Sequence, residues 1–344
     1  MIKQQLKHQT RHQRRTMMNK IIPQKLNKGD KVMVIAPARS LKIIGQDARK
    51  IAKQRLESLG LVVEFAPNTT DENCDFMGST SVEKRVADIH YAFKDKSVKA
   101  IMTIIGGANS NQLLPYLDYN LIKNNPKILC GFSDITALQN AILAQTGMVV
   151  YYGPHYSSLG MKHGCDYTLD HFINMLITSG KDDIVPSTIW SDDLWFLDQE
   201  KREFEANEGY WHIHAGEAEG TIIGGNLCTF NLLLGTKYRP HFCPNTILFI
   251  EDTENSSLAD FERNLQALIY QPDFGNVKGI VIGRFQKGSK VTKEGLEFIL
   301  DSKKELKEIP ILANVDFGHT SPLLTIPLGG TAVLSTGKLL IDSK

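Results

Sequence analysis

Between Lys28 and Thr146 the chain repeats one unit, a short apolar run followed by a stretch of helical spacing, and this alternation leaves few folds open. The runs are Lys31-Val32-Met33-Val34-Ile35-Ala36, which follows the turn Lys28-Gly29-Asp30, then 61–65, 100–105 and 127–131. Apolar residues at successive positions suit strands buried on both faces. Helical spacing over 45–59, 81–94, 109–117 and 134–146 separates them. Repeated strand–helix units predict an α/β fold with a parallel sheet covered on both sides.

The pattern breaks over 160–215, where Trp190-Ser191-Asp192-Asp193-Leu194-Trp195 sits among acidic and aromatic clusters. This stretch reads as a helix plus a long connection, and long connections are often functional. From about 216 strand-like runs dominate, at 220–225, 246–250, 279–283, 311–315 and 331–335, with helical patterns at 257–270 and 292–306. A chain of 344 residues is long for one core, so two domains sharing a cleft are expected. The predicted division is an extension over 1–26, a first domain over 27–165, a linker and substrate loop over 166–215, and a β-rich second domain over 216–344.

Residues 1–26 carry seven Lys and Arg and no Asp or Glu. Removing those seven from the total of 39 leaves 32 against 38 acidic residues, so the remainder is mildly acidic. That excludes a nucleic-acid-binding body, which needs a basic face. The extension reads as disordered, or as preceding a true start at Met17 or Met18, and it lacks the apolar segment of a secretory signal. No apolar run approaches the roughly 18 residues that span a bilayer, so no membrane partner is expected. Five scattered cysteines without a CxxC pair point to reduced thiols and a cytoplasmic location.

Chemistry concentrates at turns after the strands. Gly131-Phe132-Ser133-Asp134 lies between a buried strand and a helix, where a sharp turn lifts a nucleophile above a sheet edge and helix-terminal amides can hold an oxyanion. Serine also caps helices, and GxSxG is not matched, so the tetrapeptide by itself more often marks a structural role than a catalytic one. Gly106-Gly107, at the end of a neighbouring strand, could bring a second amide to the same point. Among ten histidines, His319 stands in the glycine-bearing loop Asp316-Phe317-Gly318-His319-Thr320-Ser321-Pro322, a place that holds an imidazole at a rim. Glu251 ends a strand and could orient that base, with Asp252 and Glu254 as chemical equals. Three other readings stand beside this one: a cysteine amidotransferase using Cys130, a metallohydrolase using His212 and His214 with Glu217 and Glu219, and a binding module without catalysis.

Taken together, Gly29-Asp30-Lys31-Val32, Ala36-Pro37, Ile105 to Asn111, Leu117-Asp118-Tyr119, Gly131 to Asp134, Gly224-Gly225-Asn226-Leu227, Ile250-Glu251-Asp252 and Gly318-His319 resemble the LD-carboxypeptidase family. The likeness runs from about Lys28 to Lys338 and is strongest to its microcin C7 immunity branch. It implies a Rossmann-like N-terminal domain, akin to class I glutamine amidotransferases, with a C-terminal swivelling β domain, an interdomain site and a homodimer. It further implies a Ser133, Glu251, His319 triad, an oxyanion hole from the Gly107 and Asp134 amides, and no metal or cofactor. The substrate would be a small murein L,D-peptide or an aminoacyl-nucleotide, contacted by Asn109, Trp190, Trp195 and Asn226. A histidine base predicts activity that falls below roughly pH 6.5.

Overall fold

The computed structural model describes residues 19–71, 73–335 and 338–344. The first half runs β1 (Lys31–Ile35), α1 (Gln46–Ser58), β2 (Val62–Phe65), α2 (Val82–Lys94), β3 (Val98–Thr103), α3 (Tyr119–Asn124), β4 (Ile128–Gly131), α4 (Thr136–Thr146) and β5 (Val150–Tyr152). There follow α5 (Asp166–Leu176) and the short strands β6 (Lys181–Ile184), β7 (Ile189–Trp190), β8 (Glu205–Ala206) and β9 (Trp211–His214). The rest comprises β10 (Ala218–Asn226), α6 (Leu227–Asn231), β11 (Thr246–Glu251), α7 (Leu258–Ile269), β12 (Val277–Gly283), α8 (Lys293–Asp301), β13 (Ile311–Val315), β14 (Ile326–Leu328), β15 (Thr331–Ser335) and β16 (Lys338–Asp342).

The first sheet has the order β14-β5-β4-β3-β1-β2, parallel throughout except for β14. Its β2-β1-β3-β4-β5 portion is a doubly wound order with the strand sequence reversing at β1 and β3, and ligands bind at the carboxyl ends of strands beside such a reversal. The loops carrying Arg39, Gly106-Gly107 and Ser133 all leave those ends. The second sheet, β6-β16-β15-β10-β11-β12-β13-β9, has four parallel central strands and antiparallel edges. Strand alternation divides its core: Ile247, Phe249, Val281 and Leu312 face the first sheet's core, while Leu248, Ile250, Ile280 and Ile282 pack with Phe261, Leu265, Leu296 and Leu300 on α7 and α8. The two lobes therefore share one apolar layer.

Several expectations change. Residues 1–18 of the predicted extension lie outside the described residues, but 19–26 are built into the fold: Ile21 bridges Met148 and Leu26 is buried. The stretch read as linker supplies both edge strands of the second sheet, β6 and β9. Conversely β14, from the predicted second domain, closes the first sheet against β5. The helix expected over 109–117 is a 3-10 turn, Ser110–Tyr116, because Pro115 has no N–H to sustain an α-helix. That expected over 134–146 starts as a 3-10 turn at Ser133–Ile135 before α4, and that over 292–306 divides into α8 and Lys304–Leu306. No helix among the described residues is long and apolar enough to cross a membrane.

Candidate active site

Strand β4 ends at a place only glycine can occupy, since a Cβ on Gly131 would lie 2.1 Å from Thr103 Oγ1. Two residues later Ser133 adopts φ +61, a left-handed conformation that a serine rarely takes and that costs of order 1 kcal/mol or more. The strain lifts the hydroxyl clear of the sheet at the start of the helical segment. Ser133 Oγ stands 2.9 Å from His319 Nε2.

His319 reaches that point from the loop after β13. Its Nδ1 lies 2.7 Å from Glu251 Oε2, and Glu251, the last residue of β11, is fully buried. Phe132 packs edge-on against the imidazole at 5.3 Å between ring centroids. Gly318, at φ +107, passes so close that a Cβ there would meet Glu251 Oε2 at 2.6 Å. Glycine at 318 is thus what lets the imidazole and the carboxylate approach.

Burial alone would raise the Glu251 pKa, but the imidazole beside it and the hydrogen bonds from His319, Tyr152 and Asn226 hold the carboxyl below its ordinary range. Its other oxygen accepts from Tyr152 Oη at 2.7 Å and Asn226 Nδ2 at 3.0 Å. Burial, followed by the Glu251 charge, pushes the Tyr152 phenol far up, so it remains a donor. For His319 burial works against the charged form, but the charge and hydrogen bond of Glu251 outweigh it and the net shift is upward. The carboxylate orients the ring so that Nε2 faces the serine as acceptor, an arrangement able to take a proton from a hydroxyl.

Gly106 and Gly107 come over the serine from the end of β3. A Cβ on Gly106 would lie 3.0 Å from Ser133 Oγ and 3.6 Å from the Asp134 amide nitrogen, whereas Gly107 packs against Ala38 and Arg39. Asp134 is itself buried and held in place: its carboxylate accepts from the Ser110 amide at 2.9 Å, and the Ser110 hydroxyl donates to its carbonyl at 2.6 Å.

The four residues expected to touch substrate are placed differently from one another. Asn109 is buried and its amide is engaged by Ser79, Arg85 and Asp75, so its side chain braces the loop. Asn226 is buried and holds Glu251 while its own oxygen accepts from Thr229. Trp190 is half-buried, its ring 5.2 Å from the Arg284 guanidinium and 5.4 Å from the Lys287 ammonium. Trp195 packs partly on the core and edge-on against Phe196.

The rival readings meet specific obstacles. Cys130 is fully buried and burial pushes its thiol pKa far up, which disfavours the nucleophilic thiolate. The two ring nitrogens of His214 are engaged by the Leu306 carbonyl and Asp301. Among the described residues no three His, Cys, Asp or Glu side chains are grouped to hold a metal. Tyr152, Ser110 and the Glu251-holding role of Asn226 escaped the sequence reading. Of these, Ser110 and Asn226 stood in motifs that could have flagged them, and Tyr152 did not.

The chain is similar over most of its length to known proteins. Residues 32–153 match the family profile described as the LD-carboxypeptidase N-terminal domain, and residues 219–334 match the corresponding C-terminal domain. A Bacillus subtilis protein, YocD, which bears a provisional carboxypeptidase name, is 51% identical over 322 residues, covering 92% of this chain and 98% of its own. The microcin C7 self-immunity protein MccF of Escherichia coli is 36% identical over 270 residues, 74% of this chain and 76% of its own. A solved MccF-like protein from Bacillus anthracis superposes with a TM-score of 0.91 at 47% identity, covering 94% of this chain and all of that one. MccF solved in complex with glutamyl sulfamoyl guanosine gives 0.84 at 30% identity, covering 94% and 98%. Two matched domains that carry the serine on one side and the glutamate and histidine loop on the other show that this chain belongs to the LD-carboxypeptidase family.

Proposed function

We propose that the protein is a serine-type amidohydrolase in which Ser133 is the nucleophile, His319 the general base and Glu251 the residue that orients it. The observation that carries this reading is the unbroken relay from a strained serine through His319 to a buried carboxylate, at 2.9 and 2.7 Å. Ser133 Oγ attacks the scissile carbonyl as its proton passes to His319 Nε2. The amides of Gly107 and Asp134 receive the developing oxyanion. The imidazolium then protonates the departing nitrogen, leaving an ester on Ser133, and a water activated by His319 hydrolyses that ester to release the acid.

The substrate proposed is an aminoacyl-nucleotide of the sulfamoyl kind, cleaved at the amide beside its terminal group. Support comes from the likeness to MccF, which has been solved with such a compound, and from the half-buried Trp190 next to the base loop. A base stacked on such a ring contributes roughly 1–3 kcal/mol. The deciding experiment offers the purified protein a glutamyl sulfamoyl adenylate and a murein tetrapeptide in parallel. Faster hydrolysis of the nucleotide is expected. Exclusive release of the terminal D-amino acid from the peptide would assign the protein to murein instead.

The pH dependence follows from the site. Protonated His319 cannot take the serine's proton, and Glu251 raises its pKa above the ordinary 6.5. The acid limb of kcat/KM is therefore expected at a higher pH than sequence reasoning alone placed it, since that limb reports the free enzyme's base. A midpoint below 6.5 would overturn the upward shift assigned to His319.

A further inference from the structure

His319 lies in a loop whose two ends are fastened to one distant segment, residues 187–191, which includes Trp190. At the near end Asp316, fully buried, accepts from the Ser187 amide and the Ser187 hydroxyl at 2.8 Å each, from Arg284 Nη1 at 2.6 Å and from Tyr210 Oη at 3.2 Å. At the far end Ser321 exchanges two backbone hydrogen bonds with Ser191, both 2.7 Å. Between these anchors Phe317 is buried against Tyr152 and Phe249. The imidazole thus sits three residues from one clamp and two from the other.

Segment 187–191 is itself held. Arg284, almost fully buried, reaches both Asp316 and the Trp190 ring, Lys287 covers the same ring and also takes its amide to Asp192, and β7 pairs with β8. A glycine-bearing loop without such ties would let the imidazole wander, and a displacement of about 1 Å in a reacting group can cost about 10²-fold in rate. We infer that residues 187–191 are a positioning element for the base, acting on His319 through the Ser187–Asp316 and Ser191–Ser321 contacts. This rests on the proposed triad. It makes Ser187, Ser191, Asp316 and Arg284 positioning residues, and it ties the segment bearing Trp190 directly to the proton-transfer step.

The test uses the full chain and two readouts: the rate at which a small fluorophosphonate labels Ser133, and the low-field proton resonance of the His319–Glu251 hydrogen bond. Ser191→Pro removes the amide that bonds Ser321, whereas Ser191→Ala keeps it. Labelling by S191P is expected to fall about 10–100-fold, with the resonance broadened or lost, while S191A stays near wild type. Wild-type labelling and an unchanged resonance in folded S191P would overturn the inference. If S191P does not fold, S187A against S187T decides: a several-fold slower S187A with S187T restored supports it, and equal rates overturn it. A wild-type protein that shows the resonance but resists labelling at Ser133 would instead overturn the serine mechanism, and the resonance in the variants would still judge the positioning role.

Discussion

Replacing Ser133 by alanine is expected to lower turnover by a factor approaching about 10⁶ while the thermal midpoint stays near that of the wild type. The loss is that large because the serine and histidine act as one unit, and without Oγ the base has nothing to activate on the acyl-transfer path. Stability is spared because alanine bears the same left-handed strain at φ +61 as serine does. A companion variant separates strain from chemistry: Ser133→Gly should be equally inactive and more stable by roughly 1 kcal/mol, since glycine adopts this conformation without penalty. Turnover of the sulfamoyl substrate and thermal unfolding measure both. Undiminished turnover in S133A would remove Ser133 from the role of nucleophile.

The second large effect is expected at Glu251→Gln. The carboxylate accepts from three donors, with His319 Nδ1 on one oxygen and Tyr152 and Asn226 on the other. Glutamine has a single acceptor oxygen. Two donors on the Tyr152 side draw that oxygen toward them, which turns the NH₂ group to His319 Nδ1. The ring must then accept at Nδ1 and carry its proton on Nε2, where it cannot serve as base. Loss of about 10⁴ in kcat is the size expected from a wrong tautomer with the geometry otherwise preserved. A fully active E251Q would transfer the role elsewhere, and Asp252, buried beside it, would be the next residue to replace.

Much of the fold was legible locally. Strands β1, β3, β4, β11, β12 and β13 announce themselves as apolar runs because both faces are covered, and the helices between them show the spacing of a half-buried face. What escaped was structure whose signal is not local. Strand β6, Lys-Asp-Asp-Ile, is polar at three of its four positions and lies at an edge, and β14 contains Pro327, tolerated because that strand also closes an edge. Neither reads as a strand until its partner is known.

The site divides the same way. Sequence by itself determined the turn chemistry: a glycine two residues before a serine at the strand-to-helix corner, a glycine before the histidine, and a carboxylate at a strand end. Each is a constraint on the backbone of a few neighbouring residues, so each is written in neighbouring letters. Only the tertiary structure decided which carboxylate meets His319, that Asn109 and Asn226 brace the site from within, and that the base loop is clamped by residues 187–191. Those outcomes depend on contacts between segments as far apart in sequence as Ser191 and Ser321, whose distances are set by how two sheets share a core and not by any local preference.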